Sequence, residues 1–277
     1  MADVGGGLHR LLTPARGPAR GSVFAVHGLA ESADTLLPLA EDWASAGFAV
    51  VCVDLRGHGA SPRWRGAGAS RHPGDVIVDD LTDAFDRSIL DLPEPRFAYG
   101  HSAGGAVIAV AARRPGAFAG VVLEDPFWRL PVTRHQDRRT AADAADDLRR
   151  LQEASAAERQ AIGHHRFPRW DDAEVEAWAR AKTLTDPWIV ENGDIIPTAP
   201  WPDLLDEVIG HGVPVRIVTG TDRIGITSAH RSLAESLGAE VVVVDGAGHF
   251  VRRDAPGAFA ATSLDFLERH SRSRSPH

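Results

Sequence analysis

A pentapeptide near the middle of the chain places a serine hydroxyl where it could act as a nucleophile. The sequence Gly100-His101-Ser102-Ala103-Gly104 follows an apolar run at residues 96–99 and precedes a small-residue stretch at residues 105–112. A strand, a sharp turn and a helix are the setting in which this pattern forms a nucleophile elbow. The glycines are needed because such a tight turn leaves no room for side chains two residues either side of the serine. We therefore expect Ser102 to project its hydroxyl from the tip of the turn.

The base and the acid that would activate this serine are also expected at the ends of strands. A serine hydroxyl is a weak nucleophile until a base accepts its proton, and the base needs a third group to orient it. His249 follows a predicted strand and is the candidate base. Asp125 and Asp222 each follow another predicted strand, and both fit the chain order serine, acid, histidine. The residues alone leave the choice of acid open.

Two backbone amides near Ser102 could stabilise negative charge on an attacked carbonyl oxygen. Ala103 supplies one amide, because it directly follows the serine. Leu29 is expected to supply the other from the loop after the predicted strand at residues 22–26, where Gly28 permits close backbone approach. Together these amides would form an oxyanion hole.

Three residues are expected to contact a small-molecule substrate. Gly28 and His101 adjoin the predicted oxyanion hole and the serine. Trp128 lies just past the carboxyl end of a predicted strand, where ligands of parallel sheets bind. We expect most of the other tryptophans at residues 127–203 to fill a local core.

The elements that must position these groups alternate along the chain between short apolar strands and helices. Strands are predicted at residues 22–26, 48–53, 96–99, 120–123, 214–218 and 240–244. Helices are predicted at residues 36–46, 76–92, 103–113, 228–237 and 258–268. Continuous apolar strands separated by helices indicate a parallel sheet covered on both faces, so the predicted fold class is α/β.

One connection is too long for this alternation. About 90 residues separate the strand that ends near Glu124 from the next one, far more than the usual few. We interpret them as an inserted helical lid with helices at residues 140–161 and 172–182. The predicted division is a core domain of residues 1–126 and 204–277, with a helical cap at residues 127–203.

Composition disfavours several classes of partner. A net charge of -8 and a pI of about 5.9 offer no basic face for nucleic acid, and no apolar run is long enough to span a membrane. The first residues do not resemble a signal peptide, and Cys52 is the only cysteine, which fits a reducing compartment. The pair His164-His165 lacks other ligands at metal-binding spacing. We therefore expect a cytoplasmic protein with no metal; nothing indicates its oligomeric state.

Four motifs in this order resemble the α/β-hydrolase superfamily. They are Gly100 to Gly105, His27-Gly28-Leu29, the segment Asp54 to Ser61, and Gly246-Ala247-Gly248-His249. The resemblance covers roughly residues 22–267 and implies a mostly parallel sheet, a Ser-His-acid triad, no cofactor and a helical cap over the site.

The same resemblance gives a preference between the two acids. Residues 219–227 lack the proline that commonly follows the acid in this superfamily, and resemble instead a subgroup with a Gly-Ile-Thr sequence at this place. Residues 123–128 resemble the acid-bearing turn of that subgroup. The resemblance therefore implies Asp125 as the acid, with Asp222 as the alternative.

The expected activity is hydrolysis of an ester, lactone or related acyl bond in a small to medium, largely apolar molecule. This would make the protein a carboxylesterase or lactonase that uses Ser102 as nucleophile. An aspartate in place of Ser102 would instead have suggested a dehalogenase or an epoxide hydrolase. A ligand receptor and a non-hydrolytic lyase or cyclase are the alternatives, because one fold supports many functions.

Overall fold

A single mostly parallel sheet carries the site. The computed structural model describes residues 7–64, 71–88, 92–128, 138–192, 195–221 and 225–272. Within these ranges seven strands pair in the order β1-β3-β2-β4-β5-β6-β7. They are β1 (Arg10–Thr13), β2 (Gly21–Val26), β3 (Phe48–Val53), β4 (Arg96–His101), β5 (Gly120–Glu124), β6 (Val215–Thr219) and β7 (Glu240–Val243). Only β1 runs antiparallel to its neighbour, so the predicted fold class is confirmed.

Helices cover both faces of this sheet. In the described ranges they are α1 (Leu37–Ser45), α2 (Pro73–Ser88), α3 (Ala103–Ala111), α4 (Arg138–Glu153), α5 (Ala156–Arg166), α6 (Asp172–Thr183), α7 (Pro187–Asn192), α8 (Trp201–Gly210), α9 (Ser228–Ser236), α10 (Val251–Asp254) and α11 (Pro256–Arg272). Strand β2 is buried along its whole length, and successive side chains of a strand point to opposite faces of the sheet, so helices must pack on both faces. Phe24 and Val26 pack with α2, α3 and α8, whereas Val23 and Ala25 pack with α1 and α11.

The sequence did not predict β1. Its four residues alternate between exposed positions and partly or fully buried ones, and Leu12 is 64% exposed. An edge strand this short carries no continuous apolar run, and it is fixed by pairing with β3 rather than by its own pattern.

The helix predicted at residues 140–161 is wrong, because the chain forms two helices there. α4 ends at Glu153, and α5 begins after Ser155. The Ser155 hydroxyl accepts a hydrogen bond from the Glu158 amide, and the Glu158 carboxylate accepts one from the Ser155 amide. This capping box satisfies free amides at the start of a helix, so a new helix begins where the apolar and charged pattern alone predicted a continuous one.

The long connection between β5 and β6 contains α4 to α8. Its helices share a local cluster made of Leu151, Trp170, Val175, Trp178 and Ala179. Other side chains of the connection, including Ala145, Ile189 and Leu205, pack into the main core. The division at residues 127 and 203 stays a prediction, and we use "cap segment" for residues 127–203 below.

The described residues contain neither a membrane-spanning helix nor a cluster of metal ligands. Across the described ranges, no helix has the length and apolar character needed to cross a membrane. No group of three or more potential ligands is placed to hold a metal ion in that same part of the chain. Cys52 is buried as a free thiol in β3, and burial raises its pKa to about 12.

Candidate active site

The turn between β4 and α3 holds Ser102 in a conformation that only tight packing can maintain. Its backbone has a φ of 53° and a ψ of -119°. A Cβ atom at Gly100 would lie 2.6 Å from the carbonyl oxygen of Gly104, and one at Gly104 would lie 2.3 Å from that of His27. Both contacts are impossible for a side chain, so the two glycines of the motif are required by the close approach of backbone. Ser102 is 7% exposed and is the N-cap residue that directly precedes α3.

The structure brings Ser102, His249 and Asp125 together in one hydrogen-bonded chain. The Oγ atom of Ser102 lies 2.9 Å from Nε2 of His249, and Nδ1 of His249 lies 2.5 Å from Oδ2 of Asp125. The three residues follow β4, β7 and β5, whose carboxyl ends meet at one edge of the sheet. The alternative acid, Asp222, lies outside the described residues.

The carboxylate of Asp125 is held in place by donors from the last residue of β6 and from the chain after it. Its Oδ1 atom accepts from the hydroxyl of Thr219 at 2.6 Å and from the amide of Ile226 at 3.2 Å. Its Oδ2 atom accepts from the amide of Gly225 at 3.1 Å as well as facing His249. A Cβ atom at Gly225 would lie 2.4 Å from this carboxylate, so glycine is required. The Gly-Ile-Thr sequence thus has a physical role as a backbone cradle for Asp125.

The two amides predicted for the oxyanion hole are free to donate. In the turn after β2, the amide of Gly28 donates to Glu31 and the amide of Ala30 donates to Nε2 of His58. Between them, the amide of Leu29 meets no acceptor among the described residues, and neither does the amide of Ala103 at the start of α3. Free backbone amides beside a nucleophile are what an oxyanion hole requires.

Two of the residues expected to contact substrate, His101 and Gly28, make contacts within the protein. His101 is 1% exposed; its Nδ1 lies 2.7 Å from Oε2 of Glu31 and its Nε2 lies 3.1 Å from the carbonyl oxygen of His249. Both ring nitrogens therefore face oxygen acceptors within the protein, and a substrate contact of His101 or Gly28 stays a prediction. Gly28 is packed against the same ring, since a Cβ atom there would lie 2.8 Å from Nδ1 of His101.

The third residue expected at the substrate, Trp128, belongs to the main core. It is 4% exposed, and its ring stacks on Trp201 with centroids 4.6 Å apart. Its indole nitrogen is buried and has no hydrogen-bond partner among the described residues. A pocket-lining role for Trp128 stays a prediction.

Sequence reasoning missed a buried ionic network beneath the site. Glu31 Oε1 accepts a hydrogen bond from Arg252 at 2.7 Å and forms an ion pair with Nη1 of Arg253 at 2.9 Å. Its Oε2 accepts from the amide of Gly28 and faces His101. Burial acts to raise the pKa of Glu31, but Arg252 and then His101 and Arg253 hold it well below its usual value. One carboxylate thereby joins the turn after β2, the serine turn and the segment after His249.

The network extends to a second carboxylate and to the cap segment. Glu124 accepts from the backbone amide of Arg252 at 2.8 Å, from its guanidinium at 3.1 Å and from the hydroxyl of Tyr99. Arg253, which is fully buried at its side chain, donates to Glu174 of α6 at 2.6 Å. Its guanidinium also lies 4.6 Å from the ring of Trp170. The sequence signal for this network was the presence of charged residues directly beside the site motifs: Glu31, Glu124 and Arg252. Their partners could not be identified, because they are distant in the chain.

Removing Arg252 is expected to destabilise the fold strongly. In Arg252→Met, Glu31 and Glu124 lose a partner inside the protein, and breaking a buried ion pair costs about 3–5 kcal/mol. Urea unfolding at pH 7 measures this loss. The matched control is Arg269→Met, an exposed residue paired with Glu240, for which the expected loss is below about 1 kcal/mol.

The pH dependence of this loss follows from the two carboxylates. The pKa of Glu31 and that of Glu124 are both lowered in the folded state, with Arg252 as the main favourable charge against burial. Their contribution is therefore present above the unfolded pKa of about 4.3 and is lost as the pH falls through the folded values. The difference between wild type and Arg252→Met should be largest near neutral pH and should shrink below about pH 4. A difference that stays constant with pH would contradict the charge argument.

A cavity of about 280 Å³ adjoins the histidine of the hydrogen-bonded chain. Its walls come from residues 166–170 of the cap segment, from residues 246–250 and from Thr221 and Asp254. Phe167, Trp170 and Phe250 give it an aromatic lining, with the rings of Phe167 and Trp170 stacked 3.9 Å apart. An apolar group could therefore be accommodated beside His249.

A mostly parallel sheet with a serine at the sharp turn between β4 and α3 defines an α/β-hydrolase. The family described as serine aminopeptidase, S33 matches residues 17–166, and the chain belongs to this family.

Relatives in sequence share part of the chain. Monoacylglycerol lipase of Mycolicibacterium smegmatis is 36% identical over 132 residues, which are 46% of this chain and 45% of that protein. Human monoglyceride lipase is 37% identical over 113 residues, which are 40% of this chain and 36% of that protein. The chain thus matches less than half the length of these curated relatives.

Solved structures match over nearly the whole chain. A monoacylglycerol lipase of Paleococcus ferrophilus has a TM-score of 0.61 at 24% identity and covers 95% of this chain and 99% of its own. The N-formylmaleamic acid deformylase of Pseudomonas putida S16 has a TM-score of 0.71 at 22% identity, covering 93% and 95% respectively. At these identities the likeness establishes the shared fold.

Proposed function

We propose that this protein is a serine hydrolase of carboxylic esters. The observation that carries the proposal is the hydrogen-bonded chain from Ser102 through His249 to Asp125, with spacings of 2.9 Å and 2.5 Å. A serine hydroxyl within hydrogen-bond reach of a histidine that is itself oriented by a carboxylate is the arrangement that activates serine for attack on acyl groups. Names of the sequence relatives, which include monoacylglycerol lipases and a phospholipase, support ester bonds as the target.

The proposed reaction has two halves that use the same groups. Ser102 Oγ attacks the ester carbonyl while His249 Nε2 accepts its proton, and the resulting imidazolium is stabilised by Asp125. The amides of Leu29 and Ala103 stabilise the oxyanion, each donor contributing about 3 kcal/mol to the transition state. His249 then protonates the leaving alcohol, which departs. In the second half, His249 activates a water that attacks the acyl-serine and releases the acid.

The proposed substrate is a small to medium, largely apolar ester without a cofactor requirement. Support comes from the aromatic lining of the cavity beside His249. A lactone is cleaved by the same steps, with its leaving alcohol still attached to the acyl group, so lactones belong to the proposed range. Such molecules, rather than nucleic acid or a membrane, are the proposed partners.

The test is a substrate panel measured with wild type and Ser102→Ala. It contains p-nitrophenyl esters from acetate to dodecanoate, a monoacylglycerol, a δ-lactone and an aminoacyl anilide. We expect saturable turnover of esters that improves with an apolar acyl chain and is absent in Ser102→Ala. Turnover of the anilide alone would contradict ester specificity. Tight binding of the esters without turnover by wild type would replace the enzyme proposal with a receptor.

A further inference from the structure

Lys182 is a buried charged group that the proposed mechanism does not use. It is the only lysine in the chain and lies near the end of α6 in the cap segment, 8% exposed. Its Nζ atom donates to the carbonyl oxygen of Ala30 at 2.7 Å and lies 5.0 Å from the ring of Trp178. Burial of an ammonium is costly unless a specific partner compensates it. The partner here is the backbone of the turn that carries Leu29.

Ala30 has a backbone conformation that needs to be held. Its φ is 58°, in the left-handed region that residues with a side chain rarely adopt. Its amide donates to Nε2 of His58 at 3.1 Å, and its carbonyl accepts from Lys182. The turn is therefore fixed on both sides of Ala30, and the amide of Leu29 directly precedes this fixed point.

The backbone of Lys182 is held in place by a residue of another helix. The side chain of Gln152 in α4 donates to the carbonyl oxygen of Lys182 at 2.9 Å and to that of Thr185 at 2.7 Å. The end of α6 is thereby tied to a second helix of the cap segment, and the ammonium extends from an anchored backbone rather than from a free loop.

We propose that Lys182 is a positioning residue that sets the orientation of the Leu29 amide by holding the Ala30 carbonyl, so that the cap segment completes the oxyanion hole. This inference rests on the proposed function and assigns a role within the same site. A displacement of a catalytic group by about 1 Å can lower a rate about 100-fold, so one hydrogen bond to the turn is sufficient to matter.

The charge state of Lys182 gives the proposal a measurable signature. Burial lowers its pKa to about 8; Glu31 opposes this shift, and Arg253 and Arg166 reinforce it. Among the described residues, Asp147 of α4 and His58 also interact electrostatically with it. Above about pH 8 the neutral amine donates a weaker hydrogen bond than the ammonium does. Ester turnover should therefore decline on the alkaline side of that pH.

The kinetic experiment compares Lys182→Met, Lys182→Arg and the control Arg180→Met. Arg180 lies on the same helix and pairs with Asp34 at 2.8 Å, so its loss removes a contact between α6 and the core without touching the turn. We expect Lys182→Met to lower kcat about 10- to 100-fold with little change in KM, and Lys182→Arg to recover part of kcat without the alkaline decline. Equal kinetics in Lys182→Met and Arg180→Met would overturn the proposal.

A second measurement decides the inference even if no ester is turned over. Protein labelled with ¹³Cε-lysine gives one lysine signal, because Lys182 is the only lysine. We expect it to titrate with a midpoint near 8, and the amide signals of Leu29 and Ala30 to shift in Lys182→Met but not in Arg180→Met. A midpoint near the ordinary 10.4, or unchanged amide signals, would overturn the contact. Failure of ester turnover in wild type with these shifts present would instead reject the proposed function alone.

Discussion

Ser102→Ala is expected to lower kcat for a p-nitrophenyl ester by about 10⁶-fold while leaving substrate affinity nearly unchanged. In the proposed reaction the Oγ atom forms the bond to the acyl group, and among the described residues it is the hydroxyl placed 2.9 Å from His249 Nε2. Removing one oxygen from a residue that is 7% exposed costs little packing. Steady-state kinetics and thermal unfolding of the same preparation separate the loss of chemistry from a loss of fold.

A matched control removes a different buried hydroxyl. Ser263 is fully buried in α11, where its Oγ atom accepts from Trp43 and donates to the carbonyl of Ala260. Ser263→Ala should keep full activity at a temperature where it is folded. A fluorophosphonate should add its mass to Ser102 in both wild type and this control. Turnover by Ser102→Ala near the wild-type rate would reject the nucleophile.

Asp125→Asn is the second large expected effect, a loss of about 10⁴-fold in kcat. The NH₂ group of an asparagine at position 125 can only donate to Nδ1 of His249. If Nδ1 carries a hydrogen, two donors face each other; if Nδ1 accepts, the proton lies on Nε2, which then cannot accept from Ser102. The asparagine also meets the amides of Gly225 and Ile226, which need acceptors. Thermal unfolding is therefore measured alongside kinetics, and rates are compared below the lowest melting temperature.

Two further variants assign this effect to the hydrogen-bonded chain. Asp222→Asn replaces the alternative acid and should leave kcat near the wild-type value. Combining Asp125→Asn with Ser102→Ala should cost nothing beyond Ser102→Ala alone, because residues that act as one unit are not additive. A larger loss in Asp222→Asn than in Asp125→Asn would transfer the role of the acid to Asp222.

The fold could be predicted where local patterns are strong. The apolar runs that form β2 and β3 are buried along their whole length. A continuous apolar run of this length predicts a buried strand without knowledge of its neighbours. β1 could not be found in this way, because its pairing with β3 rather than its composition makes it a strand. The break between α4 and α5 could have been predicted, since Ser155 and Glu158 form a recognisable capping box.

Some features of the candidate site could be predicted from local sequence, whereas others depend on residues distant in the chain. The position of Ser102 follows from the glycines around it, and the preference for Asp125 has a local physical basis in the Gly225 cradle. The buried network was not predictable, because Glu31 and Arg252 are 221 residues apart and each looks like an ordinary surface charge in the sequence. The inward orientation of His101 was missed for the same reason, since Glu31 and not its own neighbours holds the ring.

Arg253 has a consequence for how the protein opens. Its guanidinium is shared between Glu31 of the core and Glu174 of α6, and it stacks over Trp170. Lifting α6 together with Trp170, two residues before the helix, would remove one carboxylate and one ring from this cation. We therefore expect α6 to unfold together with the sheet, so that its amide hydrogens exchange with solvent about as slowly as those of the strands. We therefore expect substrate to enter without displacement of α6 from the sheet.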